Sequence, residues 1–289
     1  PDNDAIAIAH RSSPYMSVYP WSSSGFGTKY SNPSSLPSNR THDVQFHPDG
    51  NAIAFSESDS PYVRAYAWSS SGFGSKYSNP STLPAGRGNA LRFSPNGNQI
   101  AVAHQNSPYI TAYPWSSGFG SKYSNPSTLP ANHGLDVDFS PDGNAIAVTH
   151  ASSPRVTAYA WSSSGFGSKY SNPSTGIPDD ARGVRFTHDS TGNMAIFVTH
   201  SSSPYLSAYQ WSSSGFGSKY SNPSTLPNNL VYSVTVHPED TYVVVANTAG
   251  GSSGVTGYPW SYSSGFGAKL TNPDPLISGT PNGINFSHV

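Results

Sequence analysis

The 289-residue chain holds six tryptophans, Trp21, Trp68, Trp115, Trp161, Trp211 and Trp260, and all six stand in the same surroundings. A tyrosine lies two residues before each (Tyr19, Tyr66, Tyr113, Tyr159, Tyr209, Tyr258), and Gly-Phe-Gly follows within a few residues. A lysine and an Asn-Pro come next, from Lys29 to Pro33 in the first copy and from Lys269 to Pro273 in the last. Successive tryptophans are 47, 47, 46, 50 and 49 residues apart, so six copies tile the chain and a single domain over 1–289 is expected. Each copy meets equivalent neighbours, so a residue shared by all copies reports packing.

One copy reads as four short strands. Asp136 to Ser140 alternates, and Pro141-Asp142-Gly143-Asn144 closes it with a turn, because Asp-Gly tolerates the positive φ of such turns. Asn144 to His150 carries Ile146 and Val148 on one side and small residues on the other. Arg155 to Trp161 alternates again, and Gly165 to Ser171 ends at Asn172-Pro173, where proline cannot donate to a ladder. No segment shows sustained helical periodicity. Four strands per 40–50 residues, repeated radially, predict an all-β fold: a six-bladed β-propeller of four-stranded antiparallel blades. The chain ends on Gly283 to His288, which matches a first strand, and begins on Asp2 to His10, which matches a turn and a second strand. The C-terminal strand is therefore expected to join the N-terminal blade and close the ring.

The stretch Phe139 to Val148 (FSPDGNAIAV), followed by Ala158 to Trp161 (AYAW), resembles the inner strands of WD-repeat propellers, over essentially the whole chain. It departs from that pattern in lacking a Gly-His dipeptide before the first strand and in ending the third strand on Trp-Ser, which leaves out residues of the buried Asp–His network that WD repeats imply. The outer segment WSSSGFGSKYSNPSTLP is also similar to WD-like repeats of tailed bacteriophages and metagenomic relatives. That likeness implies a virion or extracellular setting.

Composition narrows the function classes. Lys+Arg 14 against Asp+Glu 15 leaves a formal charge of −1, which argues against a nucleic-acid partner and gives no attraction to an anionic membrane. No apolar run approaches the length of a membrane span. Cysteine is absent, which removes disulfides, thiolate nucleophiles and cysteine zinc sites. The chain opens at Pro1 without a charged n-region or an apolar h-region, so a secretory leader is expected to be absent or already removed. Glu57 and Glu239 are the two glutamates, and neither they nor Asp136 and Asp138 supply an obvious carboxylate pair across one bond. Nucleophile-elbow, phosphate-loop and His-Glu-x-x-His motifs are missing, and no enzyme, metal or cofactor is expected.

Three sets of residues are candidates for function. His10, His104, His150 and His200 share one repeat position at the end of the second strand, with Glu57 and Asn247 at that position elsewhere. They form either a ring of imidazoles able to hold a metal or acidic group, or side chains each bonded to its own Ser-rich turn. The copies differ most between the fourth strand and the next first strand, where Arg40, His42, Arg87, Asn89, His133, Asp180, Arg182, Asn229 and Tyr232 offer a mixed binding surface on one loop face. The middle residue of each first strand also varies (Gln45, Arg92, Asp138, Arg185, Thr235, Asn285) and is in phase to line a central channel, where Arg92, Asp138 and Arg185 can pair or hold a small anion. The repeated aromatics read as core packing and the six lysines as solvent-facing charges on an edge strand.

The resulting expectation is a non-enzymatic structural or interaction propeller, secreted or virion-associated, that binds a protein partner or itself through its loop face. A glycan-binding adhesion module is the alternative, and a propeller hydrolase the second alternative.

Overall fold

The computed structural model describes residues 4–248, 254–274, 276 and 283–284. Its regular structure is all β. The first repeat supplies β1 (Ala5–Ala9), β2 (Met16–Ser22) and β3 (Gly25–Phe26). The second supplies β4 (Thr41–Phe46), β5 (Ala52–Glu57), β6 (Val63–Ser69) and β7 (Gly72–Lys76), and the third β8 (Gly88–Phe93), β9 (Gln99–His104) and β10 (Ile110–Pro114). The fourth has β11 (Gly134–Phe139), β12 (Ala145–His150), β13 (Val156–Ser162) and β14 (Gly165–Lys169). The fifth has β15 (Ala181–His188), β16 (Met194–His200), β17 (Leu206–Ser212) and β18 (Gly215–Lys219). The sixth has β19 (Val231–Val236), β20 (Tyr242–Asn247), β21 (Val255–Ser261) and β22 (Gly265–Phe266). Each repeat is one antiparallel sheet with its strands in sequence order, and the fold is a six-bladed β-propeller. Asn285 and the strand expected to close the ring lie outside the described residues.

The chain divides into two compact units, Pro1–Val137 with Trp161–Phe166, and Asp138–Ala160 with Gly167–Val289. Inside the first unit, the alternation of each second strand sets the packing. Ala52 and Ala54 of β5, with Val63 and Ala65 of β6, present a low surface on one side of the second sheet. Onto it the third sheet lays Leu91, Phe93, Ile100, Val102, Tyr113 and Trp115, all buried. The other face of the second sheet carries Ile53, Phe55, Tyr66 and Trp68, packed against Met16 and Val18 of the first. Large side chains thus settle into the space that alanines leave on the preceding sheet, which removes apolar area from water.

The tryptophans of the second to sixth repeats sit in clasps of rings, while Trp21 meets Phe26 of its own repeat. Trp68 meets Phe73 of its own repeat at 5.1 Å between centroids, Phe46 of its own first strand at 5.3 Å, and Tyr30 of the preceding repeat at 5.1 Å, all edge to face. Trp115 repeats this with Phe119, Phe93 and Tyr77 at 5.0, 5.1 and 5.2 Å. In the second unit Trp211 does so with Phe216, Phe186 and Tyr170. Edge-to-face pairs contribute roughly 0.5–1.5 kcal/mol each beyond area burial. The first glycine of Gly-Phe-Gly makes room for the clasp: Gly72 has φ +99°, and a Cβ there would stand 2.9 Å from the Tyr30 ring. The tyrosine of Tyr-x-Trp pins the preceding repeat as well, since the Tyr66 hydroxyl donates to Ser35 O at 2.5 Å and that of Tyr113 to Thr82 O at 2.8 Å.

The lysines do more than face solvent. Lys29 Nζ donates to Asn32 Oδ1 at 2.6 Å, and Lys76, Lys122, Lys169, Lys219 and Lys269 each make the same bond to the asparagine three residues on. The third repeat is one serine shorter between tryptophan and Gly-Phe-Gly, and its fourth strand shrinks to a single bridge, Trp115 to Phe119. An open groove of about 370 Å³ beside it is lined by Lys76, Tyr77, Ser116, Ser117, Gly118 and Phe119 among others.

In the second unit one exchange between sheets shows how strict the clasp is. Val236 takes the first-strand place held by Phe46, Phe93 and Phe186, while Phe197 of the facing sheet replaces the alanine seen at Ala54 and Ala101. Phe197 meets Trp260 at 4.6 Å, so the neighbouring sheet supplies the missing ring. Phe197→Ala is expected to cost about 3 kcal/mol, and adding Val236→Phe to restore at least half of it. Urea unfolding of the single and double variants checks this coupling.

Candidate functional site

The shared position at the end of each second strand faces the third strand seven residues on, or nine in the sixth repeat. His104 Nε2 lies 2.8 Å from Thr111 Oγ1, His150 Nε2 2.9 Å from Thr157 Oγ1, and His200 Nε2 3.1 Å from Ser207 Oγ. His10 and Ser17 pair likewise at 3.1 Å, and Thr256 Oγ1 donates to Asn247 Oδ1 at 3.1 Å. Where the position holds Glu57, the partner is Arg64, whose Nε donates to Oε1 at 3.0 Å and Nη2 to Oε2 at 3.4 Å. The expected bond to the Ser-rich turn occurs at His200, whose Nδ1 is 2.7 Å from Ser202 O, but the recurring partner is the strand hydroxyl. Among the described residues, no group of three or more His, Asp or Glu is placed to hold a metal ion.

Burial holds His104 and His200 down to about 4, against the ordinary value near 6.5. Burial raises Glu57, and Arg64 offsets part of that rise.

The loop residues form two clusters of opposite character, one in each unit. In the first unit Arg40 Nε donates to Ser58 Oγ at 3.1 Å, and His42 Nε2 lies 2.8 Å from the same oxygen. Arg87 Nε donates to Asn89 Oδ1 at 3.0 Å, and Asn89 Nδ2 to Gly134 O at 2.6 Å. Burial first, and then Arg87, Arg40 and Arg11, hold His42 down to about 4. His133, also in this unit, keeps to its own loop, with Nδ1 2.8 Å from Asn132 Oδ1.

In the second unit the arginines have carboxylates. Arg155 Nη1 donates to Asp180 Oδ1 at 2.9 Å and its Nη2 is 3.8 Å from Asp179, while Arg182 is 3.8 Å from Asp180. Asn229 caps its loop by accepting from Leu230 N at 2.8 Å, and Tyr232 is half-buried in β19. Sequence reasoning passed over Arg11, Ser58, Arg155 and Asp179. The first three stand in the turns between second and third strands, and the prolines there, as in Ser-Ser-Pro-Arg, were the available signal.

The residues in phase for a channel are paired with alanines of the second strand in the first unit, Gln45 with Ala54 and Arg92 with Ala101, while in the second unit Arg185 is registered with Phe197 and Thr235 with Val244. In the second, Asp138 is buried, accepts from Phe186 N at 2.8 Å, and lies 3.6 Å from Arg185 Nη1, and Thr235 is buried opposite Val244. Asn285 lies outside the described residues.

The chain matches no protein-family model, and no curated protein matches it.

Two outcomes follow from the buried pairs. Arg64→Ala strands Glu57 in the core and is expected to cost about 3–5 kcal/mol. The double variant Glu57→His/Arg64→Thr, which copies the pair at His104 and Thr111, recovers most of this in thermal unfolding. In acid, His104 and His200 protonate near 6.5 when unfolded and near 4 when folded, so the unfolded state binds more protons in between. Stability is therefore full above about pH 6.5 and falls as pH drops toward 4, by on the order of 3 kcal/mol per histidine. His104→Gln and His200→Gln should each flatten that slope in urea titrations run at several pH values.

Proposed function

We propose that this propeller works by contact: it is a structural or interaction module that binds a protein partner, or further copies of itself, through the loops leading into its first strands. One observation carries this. Residues that make sheet and clasp recur from repeat to repeat, while the loop residues change in charge, size and hydrogen-bonding character at fixed places. Arg40, Arg87, His133, Asp180 and Leu230 all occupy the position just before a first strand. A recurring frame with loops that vary at fixed places is the arrangement by which loops acquire recognition. Arginine and tyrosine, present in these loops or at the strand starts they lead into, are among the residues that most often anchor such contacts.

Binding rather than catalysis is supported by the engagement of the titratable strand-end residues with hydroxyl or guanidinium partners inside their own sheets. The likeness of the outer segment to phage WD-like repeats supports a virion or extracellular setting, and the half-exposed mixture of donors and rings suits glycan as a second reading.

The test is quantitative recovery of partners from an extract of the source, with wild type and with Arg87→Ala/Arg182→Ala/Tyr232→Ala as baits. The triple variant is expected to keep its near-ultraviolet dichroism and its unfolding midpoint within several degrees, since all three side chains are partly exposed and lie outside the packed clasps. It should lose at least tenfold of the specifically recovered partner. Equal recovery by both baits removes the loops as the working surface.

A further inference from the structure

The strongest feature outside the packing is the basic cluster of the first unit. Arg40 and His42 share the Ser58 hydroxyl, and Ser58 N in turn donates to Arg40 O at 3.1 Å. The start of β8 is pressed against the same turn. A Cβ on Gly88 would clash with Tyr62 O and stand 3.0 Å from Ser56 Cβ and 3.5 Å from Glu57 N, so Arg87 enters directly beside the segment that carries Ser58. Arg11, in the turn after β1, adds a third guanidinium close enough for its charge to be felt at His42.

The carboxylates of this region are committed elsewhere. Glu57 is held by Arg64, Asp59 accepts from Asn39 Nδ2 at 3.1 Å, and Asp43 accepts from Val44 N at 2.8 Å and from Leu91 N at 3.0 Å. Among the described residues, Arg11, Arg40 and Arg87 have no ion pair, and Arg40 and Arg87 spend only Nε on protein partners. In the second unit, by contrast, Arg155 and Arg182 are answered by Asp179 and Asp180. Like charges left together without a direct ion pair are a standing electrostatic cost, which a bound anion relieves.

We propose that Arg40, Arg87 and His42, with the Ser58 hydroxyl that Arg40 and His42 share, form a site for a tetrahedral oxyanion, the phosphate or sulfate ester of a ligand. The unused Nη groups offer the planar forks that match such oxygens, and the Ser58 hydroxyl and His42 imidazole add neutral hydrogen-bonding partners. This deepens the reading that these loops bind, and it is tested with free ions so that its failure is distinguishable from failure to recover a partner.

The full chain is titrated with sodium phosphate, sodium sulfate and sodium acetate at low, matched ionic strength, with binding read by calorimetry and by backbone amide shifts. Saturable binding of phosphate or sulfate is expected, with shifts centred on Thr41, Ser58 and Gly88. The tighter of the two ions identifies the ester. Arg40→Ala and Arg87→Ala should each weaken binding about tenfold, the loss of one charge-assisted bond, while Arg155→Ala leaves it unchanged. If either alanine variant fails to fold, Arg40→Lys and Arg87→Lys replace it, keeping the charge but losing the fork, and should weaken binding severalfold. No saturable binding of phosphate or sulfate overturns the proposal. Binding untouched by the Arg40 and Arg87 variants, or acetate bound as tightly as phosphate, overturns it too.

Discussion

The edge-to-face clasp around the tryptophans of the second to sixth repeats is the constraint on which this protein depends. In each unit it joins three parts of the chain far apart in sequence: the tryptophan at a third-strand end, a phenylalanine on the same sheet, and a tyrosine from the repeat before. The glycine of Gly-Phe-Gly is needed twice over, for its positive φ and for the absence of a Cβ against the tyrosine ring. Sheets registered by such clasps leave little freedom in how a repeat meets the next. Phe197 shows the rule by its exception, since the ring lost at Val236 returns from the opposite sheet.

A second layer of order lies at the ends of the second strands. His–Thr, His–Ser, Glu–Arg and Asn–Thr are four solutions to one problem, a polar side chain that the strand buries and the neighbouring strand must satisfy. Only the ion pair changes both members together. The ion pair at Glu57 and Arg64 is the costliest to disrupt, because removing one partner leaves a charge where water cannot reach. These residue types look like chemistry in a linear sequence, and they serve cohesion here.

With the frame so committed, the loops carry what distinguishes one repeat from another. Their charges segregate: the first unit gathers Arg11, Arg40 and Arg87 around His42 and Ser58, and the second pairs its arginines with Asp179 and Asp180. A protein with a formal charge of −1 can therefore hold a locally basic surface, which net charge alone does not reveal.

Much of the fold was legible in the residues. The six Tyr-x-Trp copies, the alternation in stretches such as Asn144 to His150, and the Asp-Gly turns dictate short antiparallel strands repeated six times, because period-two patterning and turn stereochemistry are local properties. The aromatic positions were readable as packing, though not which ring meets which, since Tyr30 and Trp68 are brought together by stacking of sheets and not by spacing. The strand-end histidines were placed correctly in the repeat, but their partner seven residues on depends on the register between second and third strands. The loop residues were legible only as a varied set. Which arginines find a carboxylate and which are left to share a serine is decided by distances between turns of neighbouring repeats, and Coulomb interactions of a few ångströms exist only once tertiary structure has set those distances.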